Sequence, residues 1–270
     1  MSSAMRLADM TWTAIAEAVS AGFGVILPTG TVEQHGPHLP VSTDYMIATR
    51  LAEAASGELR MLVAPTLAYG YRSRPLSGGG DGFVGTTPVS GQTYIAVVAD
   101  ILESLIEQGF RSIALVNWHF ENQNFLYEAV HLAMRRSLSR ELKVLLFEHG
   151  LGNNLTPSTK QMLFDGDFQG WALEHAAVYE TSLMMHLCPE LVDVSRVQDD
   201  SAPRRVWYDV FPTPDDTVPP SGVLWKATGS TSEKGELVWR ELVAALVGAI
   251  LTEIPSVAAD PVTAASERTS

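Results

Sequence analysis

Cysteine is almost missing from this chain. Cys188 stands alone among 270 residues, which excludes an intrachain disulfide and a thiolate-built zinc cluster and suits a reducing compartment. Any metal has to be held by imidazole and carboxylate. Cations are scarce too, with 18 Lys and Arg against 31 Asp and Glu and a formal charge of −13. A phosphate backbone is bound by clustered positive charge, so nucleic acid is not an expected partner. Nothing approaches the roughly 18 uninterrupted apolar residues of a membrane span. The N-terminal stretch MSSAMRLADMTWTAIAEAV lacks the basic start and long apolar core of a signal peptide. The expectation is a cytoplasmic protein with a small-molecule partner and no membrane contact. Asn154-Leu155-Thr156 matches a glycosylation sequon, a chance match in that setting.

Apolar residues make up 46% of the chain, enough for a substantial core. Their spacing alternates between two patterns. Trp12, Ile15, Ala18 and Val19 have helical spacing, stopped by Gly22 and Gly24; the run Val25-Ile26-Leu27 then reads as a strand. Thr43 and Asp44 can open a helix over 45–55, followed by a short strand at 62–64. The pattern repeats as a helix over 93–108, a buried strand over 112–119, a helix over 125–138 and a strand over 143–148. Helices over 170–187 and 236–254 complete it. Strands alternating with helices predict an α/β fold: one domain over 1–255, three layers, a mostly parallel sheet covered by helices on both faces. Residues 256–270 are small, polar and aperiodic and read as a loose tail.

In such a sheet the ligand site lies beyond the carboxyl ends of the strands. The unusual residues fall there. TGTVEQHGPH follows the first strand, the glycine-rich LSGGGDGFVGTT the second, and Asn117-Trp118-His119-Phe120-Glu121-Asn122 the third. If the chain is still extended, Glu33 and His35, two apart, leave on one face while Gln34 points the other way. His119 and Glu121 repeat the spacing, and Asp44 lies near a helix start. Imidazole with carboxylate is the ligand set of Zn and Mn sites. Each pair alone has an ordinary explanation as well: a Glu stabilising a helix dipole, or a hydrogen-bonded strand-end His. The SGGGDG loop lacks the Lys-Ser/Thr of a P-loop, and no GxGxxG joins the first strand to its helix, which removes the nicotinamide option. Its backbone and Ser77 are expected to line a pocket for a small flat ligand.

LPTGTVEQHGPHLPVSTD resembles the signature of the creatininase family of metal-dependent amidohydrolases. AYGYRSRPLSGGGDGFVGTT, NWHFENQNFLYEAV, GWALEHAAVYETSLM, YDVFP and SEKGELV are similar to that family's stretches in the same order, over roughly residues 10–250. Phe120-Glu121-Asn122 after His119 is closer to the creatininase branch than to the Gly-Gly found more widely. The resemblance implies two divalent ions per subunit, Zn and/or Mn, held by Glu33, His35, Asp44 as the bridge, His119, Glu121 and Glu180. It implies His175 as proton donor and acceptor, with Glu121 sharing in catalysis, and a pocket that includes Ser77, Gly78, Phe120 and Trp171. The implied reaction is hydrolysis of a C–N bond in a small cyclic amide by an activated water, in a homohexamer. His38, His131, His149 and His186 match no ligand position. Three departures bear on the substrate: Phe120 replaces a tyrosine, Ala172 an acidic residue, and FEHGLGNN has no counterpart of a lid tryptophan. The other possibilities are a formamide or peptide amide as substrate, or a non-enzymatic binding protein with a degenerate site.

Overall fold

The computed structural model describes residues 4–136, 141–201 and 206–259. Four strands, β1 (Gly24–Thr29), β2 (Met61–Val63), β3 (Ser112–Asn117) and β4 (Lys143–Phe147), form one parallel sheet in the order β2-β1-β3-β4. Register pairs Val25 with Ile113 and Thr29 with Asn117, so β1 and β3 end side by side. The strand order reverses between these two, which opens a crevice at their carboxyl ends.

Strand period divides the core. Ile26, Ala114, Val116 and Trp118 face one way and pack with α2 (Thr43–Ser56), α6 (Val178–Leu187) and α7 (Ser232–Glu253). Val25, Leu27, Ile113 and Leu115 face the other way, against α1 (Trp12–Ser20), α3 (Gly91–Glu107) and α4 (Gln123–Arg136). The result is the three-layer α/β fold that the alternation predicts. Among the described residues no helix is long and apolar enough to cross a membrane. Thr11, Ser90 and Thr231 cap α1, α3 and α7, each accepting a hydrogen bond from the backbone N–H three residues on.

The last helical turn expected of α4 falls partly on 137–138, outside the described residues. Two elements differ from the sequence reading. A helix α5 (Pro157–Phe164) was not anticipated, although Thr156 caps it and Pro157 opens it. The helix expected over 170–187 starts only at Val178, because Ala176 takes a left-handed φ of 53°. The chain also stays docked past 255: Val257 is fully buried, and Ala258 bridges Leu59.

Gly235 marks the tightest crossing of α6 and α7, where an added Cβ would lie 1.9 Å from the Ser182 carbonyl oxygen. Glycine inside a helix costs about 1 kcal/mol relative to alanine, so only a close approach explains it. Gly235→Ala is expected to destabilise the protein by about 1–3 kcal/mol in urea unfolding, despite its better helix propensity. An unchanged or raised midpoint would show that the two helices separate freely.

Candidate metal centre

The first loop does not continue the strand. β1 ends at Thr29, and residues 30–34 are irregular. Gly36 at φ 66° turns the chain so that His35 and Leu39 form an isolated antiparallel bridge, and the Glu33 N–H reaches the Val41 carbonyl at 3.1 Å. The return leg delivers Asp44 into the first turn of α2, buried, its carboxylate aimed at the loop rather than capping the helix. His119 lies just past β3, and Glu180 is in the first turn of α6.

These side chains meet. His35 Nε2 lies 3.1 Å from Asp44 Oδ1, and His119 Nδ1 lies 3.0 Å from Asp44 Oδ2, so each oxygen of one carboxylate faces a different imidazole. Glu33 Oε1 is 3.2 Å from His119 Nδ1, and Glu180 Oε2 is 3.5 Å from His35 Nε2. Two buried groups result, Glu33–Asp44–His119 and His35–Asp44–Glu180, joined through Asp44. Glu33, His35 and His175 form a third group able to offer ligand atoms.

The donor set fits divalent cations. His35 Nδ1 lies 3.2 Å from the Glu33 carbonyl, and His119 Nε2 lies 3.0 Å from the Tyr71 carbonyl. A carbonyl can only accept, so these nitrogens carry the protons, and the lone pairs of the other two face the carboxylates. Glu33 Oε2, His35 Nε2 and Asp44 Oδ2 are buried with no hydrogen-bond partner among the described residues. Lone pairs packed against buried carboxylates are tolerated when positive charge sits between them. With the protein's own groups alone that pressure falls on the side chains. Burial opposes charge on His35, but Asp44 and then Glu180 outweigh it and raise its pKa to about 10. His119 is raised well above the ordinary range, chiefly by Glu33 against burial. Burial lifts Glu33 to about 7, whereas the two imidazoles outweigh burial and hold Asp44 below the usual carboxylate range.

The remaining expected residues surround this centre. Glu121 approaches the outer side of His119, 3.6 Å from Nε2, and accepts hydrogen bonds from the Ser77 hydroxyl and, at 3.4 Å, the Arg74 N–H. It belongs to none of the three converging groups. Gly78 fits closely, since a Cβ there would lie 2.1 Å from Ser73 Oγ and 3.3 Å from Glu33 Oε2. Ser77, Phe120, Glu121, Trp171 and His175 line a small cavity that opens on the carboxylates. His175 is buried, its ring 4.3 Å from that of His35, and burial followed by the charge on His35 lowers its pKa to about 3. His38 is buried as well, bonded through Nε2 to Thr181 Oγ1 at 2.8 Å; His131 is exposed and His186 half-buried. The side chain of His149 lies outside the described residues.

Several residues of the centre were read differently from the sequence or not read at all. Gln34 does not point away: its Nε2 is 2.8 Å from His175 Nε2. Asn117 Nδ2 donates to the His119 carbonyl at 2.7 Å, and Asn122 ties the first loop to the second through the Gly30 carbonyl and the Tyr71 N–H. Trp118 Nε1 and the Ala176 N–H each hold one oxygen of Glu180, at 3.3 and 2.8 Å. Glu174 is buried beside them with its pKa raised to about 8, mainly by burial. The asparagines carry no charge or periodicity, so their place becomes visible only when β1 and β3 are paired.

Residues 8–250 match the family model for creatininase, described as creatinine amidohydrolase. The chain belongs to the creatininase family. It is 37% identical over 259 residues to the creatinine amidohydrolase of Pseudomonas putida, across 94% of this chain and 99% of the relative. The mycofactocin precursor peptide peptidase of Mycobacterium ulcerans is 28% identical over 242 residues, 81% of each chain. A solved creatininase in a Mn form superposes with a TM-score of 0.89 at 36% identity, covering 93% of this chain and 99% of that one. A creatininase variant complexed with creatine superposes with a TM-score of 0.89 at 35% identity and the same coverage.

This creatininase-family chain has its own pocket wall. A 3₁₀ segment, His149–Asn154, occupies the place expected of a lid tryptophan. It packs on Trp171 instead: a Cβ on Gly152 would lie 2.3 Å from the indole, and Trp171 Nε1 donates to Asn153 Oδ1 at 2.6 Å. Phe168 and Tyr179 meet Trp171 edge-on at 4.9 and 5.2 Å. The retained indole is therefore fixed by its neighbours.

Proposed function

We propose that this protein is a binuclear-metal amidohydrolase that opens a small cyclic amide, creatinine or a related lactam or imidazolidinone-type ring. The observation that carries the reading is Asp44, whose two oxygens face two different imidazoles whose protons point outward. Glu33, Asp44 and His119 would hold one ion and His35, Asp44 and Glu180 the other, Zn or Mn, with Glu121 beside His119. When bound, such ions make water a nucleophile near neutral pH and polarise an amide carbonyl.

The chain's own groups supply the remaining steps. His175 faces Glu33 through Nδ1 at 3.7 Å, and in this reading it moves the proton that the departing amide nitrogen requires. Glu121 is held by Ser77 at the wall beside His119 and faces the same cavity. The planar indole of Trp171 stacks on a planar ring, and Gly78 keeps the floor free of side chains. The kinship with a peptide peptidase supports a linear amide as the second reading.

A panel of creatinine, simple lactams, formamides and short peptides, assayed with Zn- and Mn-loaded protein, separates these. Turnover of a ring amide is the expected result. Turnover of formamides or peptides alone would move the substrate assignment and leave the metal chemistry in place; no turnover of any member would remove the hydrolase reading. Trp171→Leu is expected to raise KM by roughly 5–30-fold with little change in kcat, the loss of about 1–2 kcal/mol of stacking. A fall in kcat at constant KM would place Trp171 in the chemistry instead. The kinship also supports a homohexamer; the exposed aromatics Trp207 and Phe211 are candidates for a subunit contact, and light scattering reads the mass directly.

A further inference from the structure

Three buried histidines line the centre, and their hydrogen bonds divide them into two kinds. Behind His35 and His119 stands a backbone carbonyl, which takes the outer N–H and turns the inner lone pair toward the carboxylates. Behind His175 stands Gln34, whose side-chain amide meets Nε2 at 2.8 Å and whose backbone also hydrogen-bonds the ring. The orientation of that amide follows from its other partners. Gln34 Oε1 accepts from the Gly36 N–H at 2.8 Å, and Nε2 lies 3.0 Å from the Gly222 carbonyl and 3.4 Å from that of Gly78, so Nε2 is the donor end. An N–H directed at His175 Nε2 requires a lone pair there. The proton of a neutral His175 is then on Nδ1, the nitrogen that faces Glu33 Oε1 at 3.7 Å.

We infer that Gln34 is a positioning residue that sets His175 apart from the two neighbouring histidines, holding it as an inward N–H donor instead of a metal ligand. The inference rests on the amidohydrolase reading for its purpose, though not for its geometry. The niche is built closely around the amide. A Cβ on Gly79 would lie 2.4 Å from Gln34 Nε2, and one on Gly222 would lie 2.0 Å from Oε1; both glycines have positive φ, 81° and 77°. The glycine-rich loop thus serves the centre from behind: it encloses the amide that orients His175. The Glu33–His35–His175 group does not amount to a third ion site, because the lone pair of His175 is directed outward.

The test uses zinc-loaded wild-type protein with ¹⁵N-labelled histidine, because zinc leaves the spectra undisturbed by paramagnetism. Two-bond ¹H–¹⁵N correlation reads the tautomer, and the His175 signals are those missing from His175→Asn. The expected result is a protonated Nδ1 and an unprotonated Nε2 on His175. In Gln34→Met, which keeps the volume and removes the donor, the Nε2–H form should appear while zinc per chain stays unchanged. On a substrate that the wild type turns over, kcat should fall by about 10–100-fold with KM within about threefold. Wild-type His175 with its proton on Nε2 overturns the assignment without any variant, as does Gln34→Met with tautomer and kcat both unaltered. The tautomer as assigned, in a protein that hydrolyses no amide, upholds the placement of the proton and refutes the amidohydrolase reading.

Discussion

Asp44→Ala is expected to empty both metal positions of a protein loaded with Zn or Mn, and to lower kcat/KM by about 10³-fold or more, the several kcal/mol that metal ions contribute to stabilising transition-state charge. The prediction follows from the sharing of one side chain. His119, with Glu33 beside it, faces Oδ2 of Asp44, and His35, with Glu180 beside it, faces Oδ1. Removing Asp44 leaves each would-be ion one carboxylate and one imidazole, too few for a closed site. It also removes the negative charge that keeps two ions close together. Glu180→Gln, by contrast, alters only the His35 side and should lower occupancy mainly there. Metal analysis after gel filtration distinguishes the cases. Full stoichiometry in Asp44→Ala would show that Asp44 is not the bridge, whatever happened to activity.

His175→Asn is the second large effect. Loss of a positioned acid or base costs about 10²–10⁴-fold in kcat, and here it should occur with both ions retained, since the lone pair of His175 faces Gln34 and not the carboxylates. Its low pKa of about 3 is set by burial and then by the charge of His35. The ring presents its Nδ1–H toward Glu33 and the reacting side, while its lone pair is occupied by the Gln34 amide. The variant should accordingly lose kcat at every pH between 6 and 9 without a shift of the surviving profile's limbs. A variant that loses an ion together with its activity would make His175 a ligand.

Much of the fold and half of the centre were legible before any coordinates. The α/β alternation was readable because β1 and β3 are buried on both faces and so are nearly all apolar, while the helices alternate. Glu33, His35, Asp44 and His119 stood out because acid–imidazole pairs at two-residue spacing follow two of the strands, with Asp44 near the start of the next helix, all at the edge where an open parallel sheet binds its ligand. The rest was hidden for particular reasons. Gln34 was read as pointing away because an extended strand was assumed to continue, whereas β1 stops at Thr29 and the turn at Gly36 brings the amide back. The late start of α6 was legible only as a condition, since His175 and Glu180, five apart, reach one site only if the helix starts late or bends; the left-handed Ala176 that supplies the late start fits a helical pattern in sequence. Asn117 and Asn122 are uncharged, and their roles depend on which strands are neighbours. The pocket differences at Phe120 and at Gly152-Asn153 were visible as departures from a pattern, but that Asn153 holds the indole of Trp171 was not.

The measurement that bears most directly on two-metal amide hydrolysis is a reconstitution titration. Protein stripped by a chelator is given increasing Zn or Mn, and bound metal per chain and hydrolysis of a ring amide are read on the same samples. The account predicts no hydrolysis in the stripped protein, then activity that rises with occupancy and saturates at two ions per chain. Full activity after stripping, or saturation at a single ion, would contradict it.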